Sequence, residues 1–192
     1  GAGQVEVDVN GEKINIVTVH TYPFKYAYLA EDQKASAAEN GGDVFRAAEM
    51  KYICEQTILE QDPEGEGNWM MVGDFNAEPF DPELVDATSF FATPFRSVIS
   101  NCPVRVIRGL ERSLMYNPVL QSLTPDCESF GSHWWDGKDA LFWRCYDQVI
   151  VSKSLMNDVL EVKYIKEIGG ERLVKTAGPL ERISDHLPLF VN

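Results

Sequence analysis

The chain has 192 residues, with 30 acidic against 17 basic side chains and a formal net charge of −13. A hydrophobic fraction of 44% and a charged fraction of 24% are typical of a globular domain and exclude a disordered one. No apolar run approaches the ~18 residues of a membrane span. So acidic a surface also disfavours an extended nucleic-acid groove, because phosphate backbones are bound mainly by Lys and Arg.

The first residues and the cysteines say little about function. The chain starts Gly-Ala-Gly-Gln, without an initiator Met and without the basic and apolar regions of a secretory signal. The four cysteines form no Cys-x-x-Cys pair, which predicts free, largely buried thiols; they are Cys54, Cys102, Cys127 and Cys145. Such thiols favour a reducing compartment such as the cytoplasm and leave an exported form open. Residues 1–192 read as a single domain.

A β-hairpin is predicted at the start. Val5, Val7 and Val9 alternate with polar residues, the period of a half-buried strand. Asn10-Gly11 suits the positive φ angles of a tight turn. Residues 13–20 form the returning strand, which is apolar on both faces, as in a covered sheet.

Helices and strands alternate in the rest of the chain. After a loop at 25–42, Asp43 is a plausible N-cap for a helix to residue 61. Its expected apolar face comprises Phe45, Ala48, Tyr52, Ile53 and Leu59. A strand at 68–72, a helix at 82–87 and strands at 146–151, 159–168 and 187–191 follow. The class is therefore α+β or α/β around a largely buried sheet.

Residues 94–144 resist assignment. They are rich in Arg, Pro, Ser and aromatic residues, and the aromatics include Trp134, Trp135, Phe142 and Trp143. These rings would either pack in the core, which is the favoured interpretation, or stack on a base or a lipid headgroup.

Four polar islands interrupt or adjoin predicted strands: His20, residues 73–79, residues 146–148 and residues 184–186. Two lie at the carboxyl ends of strands and two at the amino ends. Where neighbouring strands are antiparallel, the end of one meets the start of the next on one rim. We therefore expect the islands to converge on one cleft, although each alone is ordinary turn or strand-end chemistry.

Taken together, the islands resemble the endonuclease/exonuclease/phosphatase superfamily. The strongest matches are Gly-Asp-Phe-Asn-Ala-Glu-Pro at residues 73–79 and Ser-Asp-His-Leu-Pro at 184–188. Val-Thr-Val-His at 17–20 and Tyr-Asp-Gln-Val-Ile at 146–150 fall where the family has them. The resemblance implies metal-dependent hydrolysis of a phosphoester, by a phosphodiesterase, nuclease or phosphatase.

The resemblance also implies a role for each residue. Asp74 would orient or deprotonate the attacking water, and Asn76 would hold that water or a phosphate oxygen. His186 would bind the phosphoryl oxygens as a cation paired with Asp147, and His20 would supply a second donor.

Asp185 would ligate a divalent cation, Mg²⁺ or Mn²⁺, through oxygen. The superfamily also draws a metal-binding Glu from a strand well upstream of its histidine strand. Only nineteen residues precede His20, and their acids, Glu6, Asp8 and Glu12, fit a solvent-facing hairpin better. We therefore expect a partial α-β-β-α sandwich without its leading segment, and a weakly held metal.

Two functions from different classes follow. The first is a phosphoesterase represented by its later portion. The second is a catalytically inactive relative that serves as a binding or interaction module. A Glu-bearing segment upstream in the gene would favour the first, and a natural start near Gln4 would favour the second.

Self-association is the prediction that follows from an incomplete sandwich. An uncovered strand at 13–20 and an unpaired sheet edge would recruit another chain, most simply as a two-fold dimer through the hairpin at residues 4–20. Light scattering across a dilution series should show a dimer mass. A monomer mass at high concentration would favour the alternative, in which residues 94–144 fold over the uncovered face.

Overall fold

The computed structural model describes residues 1–22, 44–107, 109–122, 131–136, 141–175, 178–179, 184 and 186–192. The predicted loop at 25–42 and the predicted N-cap Asp43 lie outside these ranges. So does Asp185.

Helices are few in the described part. Helix α1 covers residues 44–61 and contains a π-helical stretch at Glu55–Leu59. Helices α2 (Pro82–Val85) and α3 (Arg96–Asn101) are shorter, and single 3₁₀ turns lie at Pro118–Ser122 and Lys153–Leu155. All of the described helices are too short or too polar to span a membrane.

Strands dominate the described part. In chain order they are β1 (Ala2–Val9), β2 (Glu12–His20), β3 (Trp69–Asp74), β4 (Ala92–Thr93), β5 (Val104–Ile107), β6 (Leu110–Ser113), β7 (Met115–Tyr116), β8 (His133–Asp136), β9 (Leu141–Arg144), β10 (Asp147–Val151), β11 (Val162–Tyr164), β12 (Glu167–Ile168), β13 (Glu171–Arg172), β14 (Val174–Lys175), β15 (Gly178–Pro179) and β16 (Leu189–Val191).

A six-stranded mixed sheet in the order β1-β2-β3-β10-β7-β4 forms the centre. β2 pairs with β3 in parallel, and β4 pairs with β7 in parallel, whereas the other pairs are antiparallel. The β11–β16 pair and the β8–β9 hairpin form separate small sheets. The architecture is α+β, which confirms the predicted class.

The central sheet is buried on both faces at β10. On one face Val17, Met71 and Ile150 pack with Met50 and Ile53 of α1. On the other face the neighbouring β10 residues, Val149 and Val151, pack in a second cluster that includes Ile99 of α3 and Val162 of β11. The alternation of β10 between two cores explains its continuous apolar run.

The burial predicted for β1 is wrong. The strand and its Asn10-Gly11 turn are present, and both turn residues have positive φ angles of 56° and 90°. Val5, Val7 and Val9 are nevertheless 54%, 37% and 48% exposed. β1 is an edge strand that hydrogen-bonds only to β2 in the central sheet, so its alternating valines face no core among the described residues.

The apolar face predicted for α1 is only partly right. Ile53 is buried and Leu59 packs against the core, whereas Phe45 and Tyr52 are 58% and 62% exposed and Ala48 is exposed too. Arg46 and Met50 are buried in their place. Arg46 donates from Nε and Nη2 to Glu83 Oε1, at 3.1 and 2.7 Å, and that pairing allows a charged side chain to lie inside. Because the buried stripe starts at an arginine, hydrophobicity alone does not reveal it.

The core assignment of the aromatic cluster agrees with the structure for the two rings that are described. Trp134 and Trp143 meet edge to face with centroids 5.4 Å apart, beside Tyr164 and Leu187. The cysteine prediction also agrees in part, since Cys54 is a buried free thiol and burial raises its pKa to about 11.

Gly73 is required where β3 passes β2. Its φ angle is 143°, and a Cβ there would lie 2.0 Å from the carbonyl oxygen of Val19. No side chain fits between two strands at that distance. The glycine that opens the 73–79 motif is therefore a requirement of the strand pairing.

Replacement of this glycine should be costly. We expect Gly73→Ala to lower the free energy of unfolding by about 2–5 kcal/mol, because backbone strain adds to the collision. Gly11→Ala is the matched control, since Gly11 also has a positive φ but has open space around its Cα. It should cost only about 1–2 kcal/mol. Equal losses for the two variants in urea denaturation would contradict the steric argument.

Candidate active site

Three of the predicted residues lie side by side on one rim of the central sheet. His20 ends β2, Asp74 ends β3 and Asp147 begins β10. The register pairs His20 with Asp74, and Asp74 with Asp147. Since neighbouring strands are about 4.8 Å apart, the three side chains share a small space. The predicted convergence is confirmed for these positions.

His186 reaches the same rim from outside the central sheet. It precedes β16 and forms an isolated antiparallel bridge with His133. Its Nδ1 lies 2.6 Å from Oδ2 of Asp147, which confirms the predicted contact between the two side chains. At this distance the pair is a short, charge-assisted hydrogen bond when the imidazole is protonated.

Asp74 lies between two imidazoles. Its Oδ2 is 3.9 Å from Nε2 of His20 and 4.0 Å from Nε2 of His186. Its Oδ1 accepts a 2.8 Å hydrogen bond from the backbone N–H of Asn76. The carboxylate is therefore held from one side, while its other oxygen faces both rings.

Asn76 is fixed in the turn that follows β3. It has a φ angle of 47° and is buried, and its Nδ2 donates to the carbonyl of Thr21 at 3.1 Å. Thr21 in turn donates from its hydroxyl to the carbonyl of Phe75. These bonds tie the 73–79 turn to the residue after β2. The amide thus has a structural partner, and its proposed contact with water or phosphate stays a prediction.

Burial governs the ionisation of Asp74. The carboxyl side chain is 18% exposed, and burial raises its pKa above the ordinary value. The N–H of Asn76 opposes this shift, the charge of Asp147 adds to it, and the two imidazoles oppose it. A carboxylate with a raised pKa accepts a proton more readily, which suits a general base.

Metal ligation is not visible in the described residues. Asp185, the predicted ligand, lies outside them, and within the described ranges no three His, Cys, Asp or Glu side chains are grouped to hold an ion. These residues alone therefore do not fit a metal centre, and the chemistry below assigns no step to one.

Several residues near the site were not singled out by sequence reasoning. Glu78 accepts a hydrogen bond from Arg144 Nη1 at 3.2 Å and another from the N–H of Cys145, also at 3.2 Å. Tyr164 donates to the carbonyl of Asp147 at 2.9 Å. Glu78 lies inside the 73–79 motif, and that position could have marked it as a site residue. Nothing in the sequence around Tyr164 marks it in this way.

A cavity of about 700 Å³ adjoins the rim. Its described lining includes Asn76, Glu78, Arg144 and Tyr146, together with Lys51 of α1. It is large enough for a group the size of a nucleoside or a sugar phosphate. Asn76 donates its backbone N–H to Asp74 and Tyr146 directly precedes Asp147, so the cavity lies beside the rim.

The raised pKa of Asp74 predicts how stability depends on pH. The folded chain binds this proton more readily than the unfolded chain, so the contribution of Asp74 to stability is greatest below its unfolded pKa and falls as the pH rises through its folded pKa. We expect Asp74→Asn to raise the free energy of unfolding at about pH 7.5, with the difference shrinking towards about pH 3.5.

Urea denaturation of parent and variant at several pH values would measure this. Glu12→Gln, on the exposed hairpin, controls for the change in net charge. A destabilised Asp74→Asn at neutral pH would contradict the prediction.

No protein-family model and no curated protein matches the chain. Solved structures match it along nearly its whole length. An endonuclease/exonuclease/phosphatase family protein from Leptotrichia buccalis is 14% identical with a TM-score of 0.45, covering 100% of this chain and 52% of that one. D. rerio TDP2 complexed with single strand DNA product is 13% identical with a TM-score of 0.47, covering 99% and 60%.

Beta toxin from Staphylococcus aureus with bound magnesium ions is 14% identical with a TM-score of 0.45, covering 98% of this chain and 56% of that one. The chain spans between 52% and 60% of the length of these three structures. In its motifs, and in the solved structures that match it, the chain is similar to the endonuclease/exonuclease/phosphatase superfamily.

Proposed function

We propose that this chain carries the catalytic rim of a phosphoester hydrolase that uses water as the nucleophile. One observation supports this most: Asp74 lies about 4 Å from the Nε2 atoms of both His20 and His186, and His186 is hydrogen-bonded to Asp147. A partly buried carboxylate beside two potential proton donors is what in-line attack on a phosphoryl group needs.

Asp74 would orient the attacking water and take its proton. Its Oδ1 is held by the backbone of Asn76, which leaves Oδ2 as the oxygen that faces the rings. A water bound at Oδ2 would lie within reach of a phosphorus atom on the same rim. Burial, which raises the pKa of this carboxyl, makes it a stronger base than an exposed aspartate.

His186 and His20 would donate to the phosphoryl oxygens. The hydrogen bond to Asp147 engages Nδ1 of His186, so Nε2 is the nitrogen directed at the rim. The Asp147 carboxylate favours the protonated imidazole, which is the form that stabilises developing negative charge. His20 is 76% exposed on the opposite side of Asp74, where a substrate would cover it.

The cavity beside Asn76 would hold the leaving group. Its polar lining includes Arg144 and Lys51. Tyr146, which directly precedes Asp147, also lines it. The leaving group would therefore extend away from His20 and towards α1.

Magnesium or manganese dependence is part of the proposal, with Asp185 as a ligand. Support for this comes from the Ser-Asp-His-Leu-Pro motif.

The substrate class is a phosphoester of small or moderate size. A DNA end is one candidate, since a nuclease is among the activities that the motifs imply. The net charge of −13 disfavours a long nucleic-acid contact on this chain. A small phosphodiester or a phosphomonoester therefore suits the surface better.

The decisive experiment compares Asp74→Asn with the parent in the full-length protein. Bis(p-nitrophenyl) phosphate and p-nitrophenyl phosphate serve as diester and monoester, each with and without Mg²⁺ or Mn²⁺. Removal of the base should lower kcat about a hundredfold or more. The fold should be retained, because the asparagine keeps an oxygen for the N–H of Asn76.

Glu12→Gln is again the control and should match the parent. Equal turnover of Asp74→Asn and the parent would show that Asp74 is not the general base. Absence of turnover in the parent, on both substrates and with both metals, would favour the inactive binding module instead.

A further inference from the structure

The contact between His186 and Asp147 joins two parts of the fold that are not neighbours in sequence or in the central sheet. Asp147 begins β10 of the central sheet. His186 belongs to the segment before β16, which pairs with β11 in a separate sheet. A 2.6 Å hydrogen bond between such parts needs something that sets their spacing.

Residues 131–133, Gly-Ser-His, lie between these two parts, and we call them the brace. Ser132 is completely buried. Its hydroxyl accepts a hydrogen bond from the backbone N–H of Asp147 at 2.9 Å, and its carbonyl accepts one from the N–H of Leu187 at 2.7 Å. One residue thus binds the backbone of Asp147 and the backbone of the residue after His186.

The ring of His133 adds a direct contact. Its centroid lies 4.7 Å from that of His186 and 5.6 Å from that of Tyr146, and it is stacked on the latter at 23°. His133 is 7% exposed and bridges His186 through the backbone. The buried ring of His133 therefore restricts the orientation of the His186 imidazole. It is itself held by stacking on Tyr146, the residue before Asp147.

Gly131 allows the brace to approach. A Cβ at this position would lie 2.3 Å from the carbonyl oxygen of Arg144. The N–H of Ser132 donates to that same carbonyl at 2.8 Å. Each of the three brace residues thus has a defined contact that depends on its side chain or on the lack of one.

We propose that the brace positions the hydrogen-bonded pair of His186 and Asp147, which we call the dyad. Ser132 sets the distance between the His186 and Asp147 segments, and His133 sets the orientation of the His186 ring. Both are positioning residues, since they act through the dyad. The kinetic consequence rests on the proposed function, whereas the geometric part is tested without any substrate.

The geometric test reads the tautomer of His186. A hydrogen bond from Nδ1 to the Asp147 carboxylate fixes the proton on Nδ1, so a neutral ring should be in the Nδ1–H form. Long-range ¹H–¹⁵N NMR distinguishes the two tautomers at a pH where the ring is neutral. The chain has three histidines, so His20→Gln and His133→Phe assign the signals.

We expect the Nδ1–H form in the parent and in His133→Phe, which keeps a ring against His186. In His133→Ala and in Ser132→Ala the Nε2–H form should appear beside it. In the full-length enzyme, kcat of these two alanine variants should fall about tenfold to a hundredfold with KM nearly unchanged, because a small misplacement of a positioned group has effects of this size. His133→Phe should retain most of kcat.

Circular dichroism and thermal melting confirm that each variant is folded, and His133→Leu replaces His133→Ala if the latter is not. An unchanged tautomer in both alanine variants, or a parent without the Nδ1–H form, would overturn the brace. A changed tautomer in the alanine variants, together with a parent that hydrolyses neither substrate, would support the brace and reject the proposed function.

Discussion

The parallel pairing of β2 with β3 is the constraint on which the site depends. It places His20 opposite Asp74, and it does so only because Gly73 lets the two backbones approach at Val19. The antiparallel pairing of β3 with β10 then adds Asp147 on the other side of Asp74. Two different kinds of strand pairing thus bring two strand ends and one strand start to a single rim.

The dyad depends on a second kind of contact. Asp147 is held by the central sheet, whereas His186 belongs to a different pair of strands, so no single sheet sets their distance. The hydrogen bonds that Ser132 accepts from both segments, and the packing of His133 on His186, take that role. Sites assembled between layers need such a connection, because side-chain rotamers alone leave an ångström or more of freedom.

Asp74 shows a conflict between stability and chemistry. Burial and the neighbouring Asp147 both raise its pKa, so the folded chain holds a carboxylate in a place that disfavours its charge. The N–H of Asn76 and the two imidazoles offset part of this. Functional sites commonly retain such unfavourable groups, and the rest of the fold has to supply the missing stability. Here the two apolar clusters on either face of the central sheet do so.

The sequence by itself determined the Asn10-Gly11 hairpin and the strands that carry the candidate site, and it limited the class to α+β or α/β. It also predicted that His20, Asp74, Asn76, Asp147 and His186 belong to one site. These are local or motif-level properties: turn chemistry, two-residue periodicity and short runs of characteristic residues. Only the tertiary structure decided which faces are buried. α1 buries Arg46 because Glu83 comes from a distant helix, and β1 exposes its valines because it is an edge strand. The brace was equally hidden, because Gly-Ser-His has meaning only once the Asp147 and His186 segments lie on either side of it. Contacts between residues distant in sequence set these features, and no local pattern encodes them.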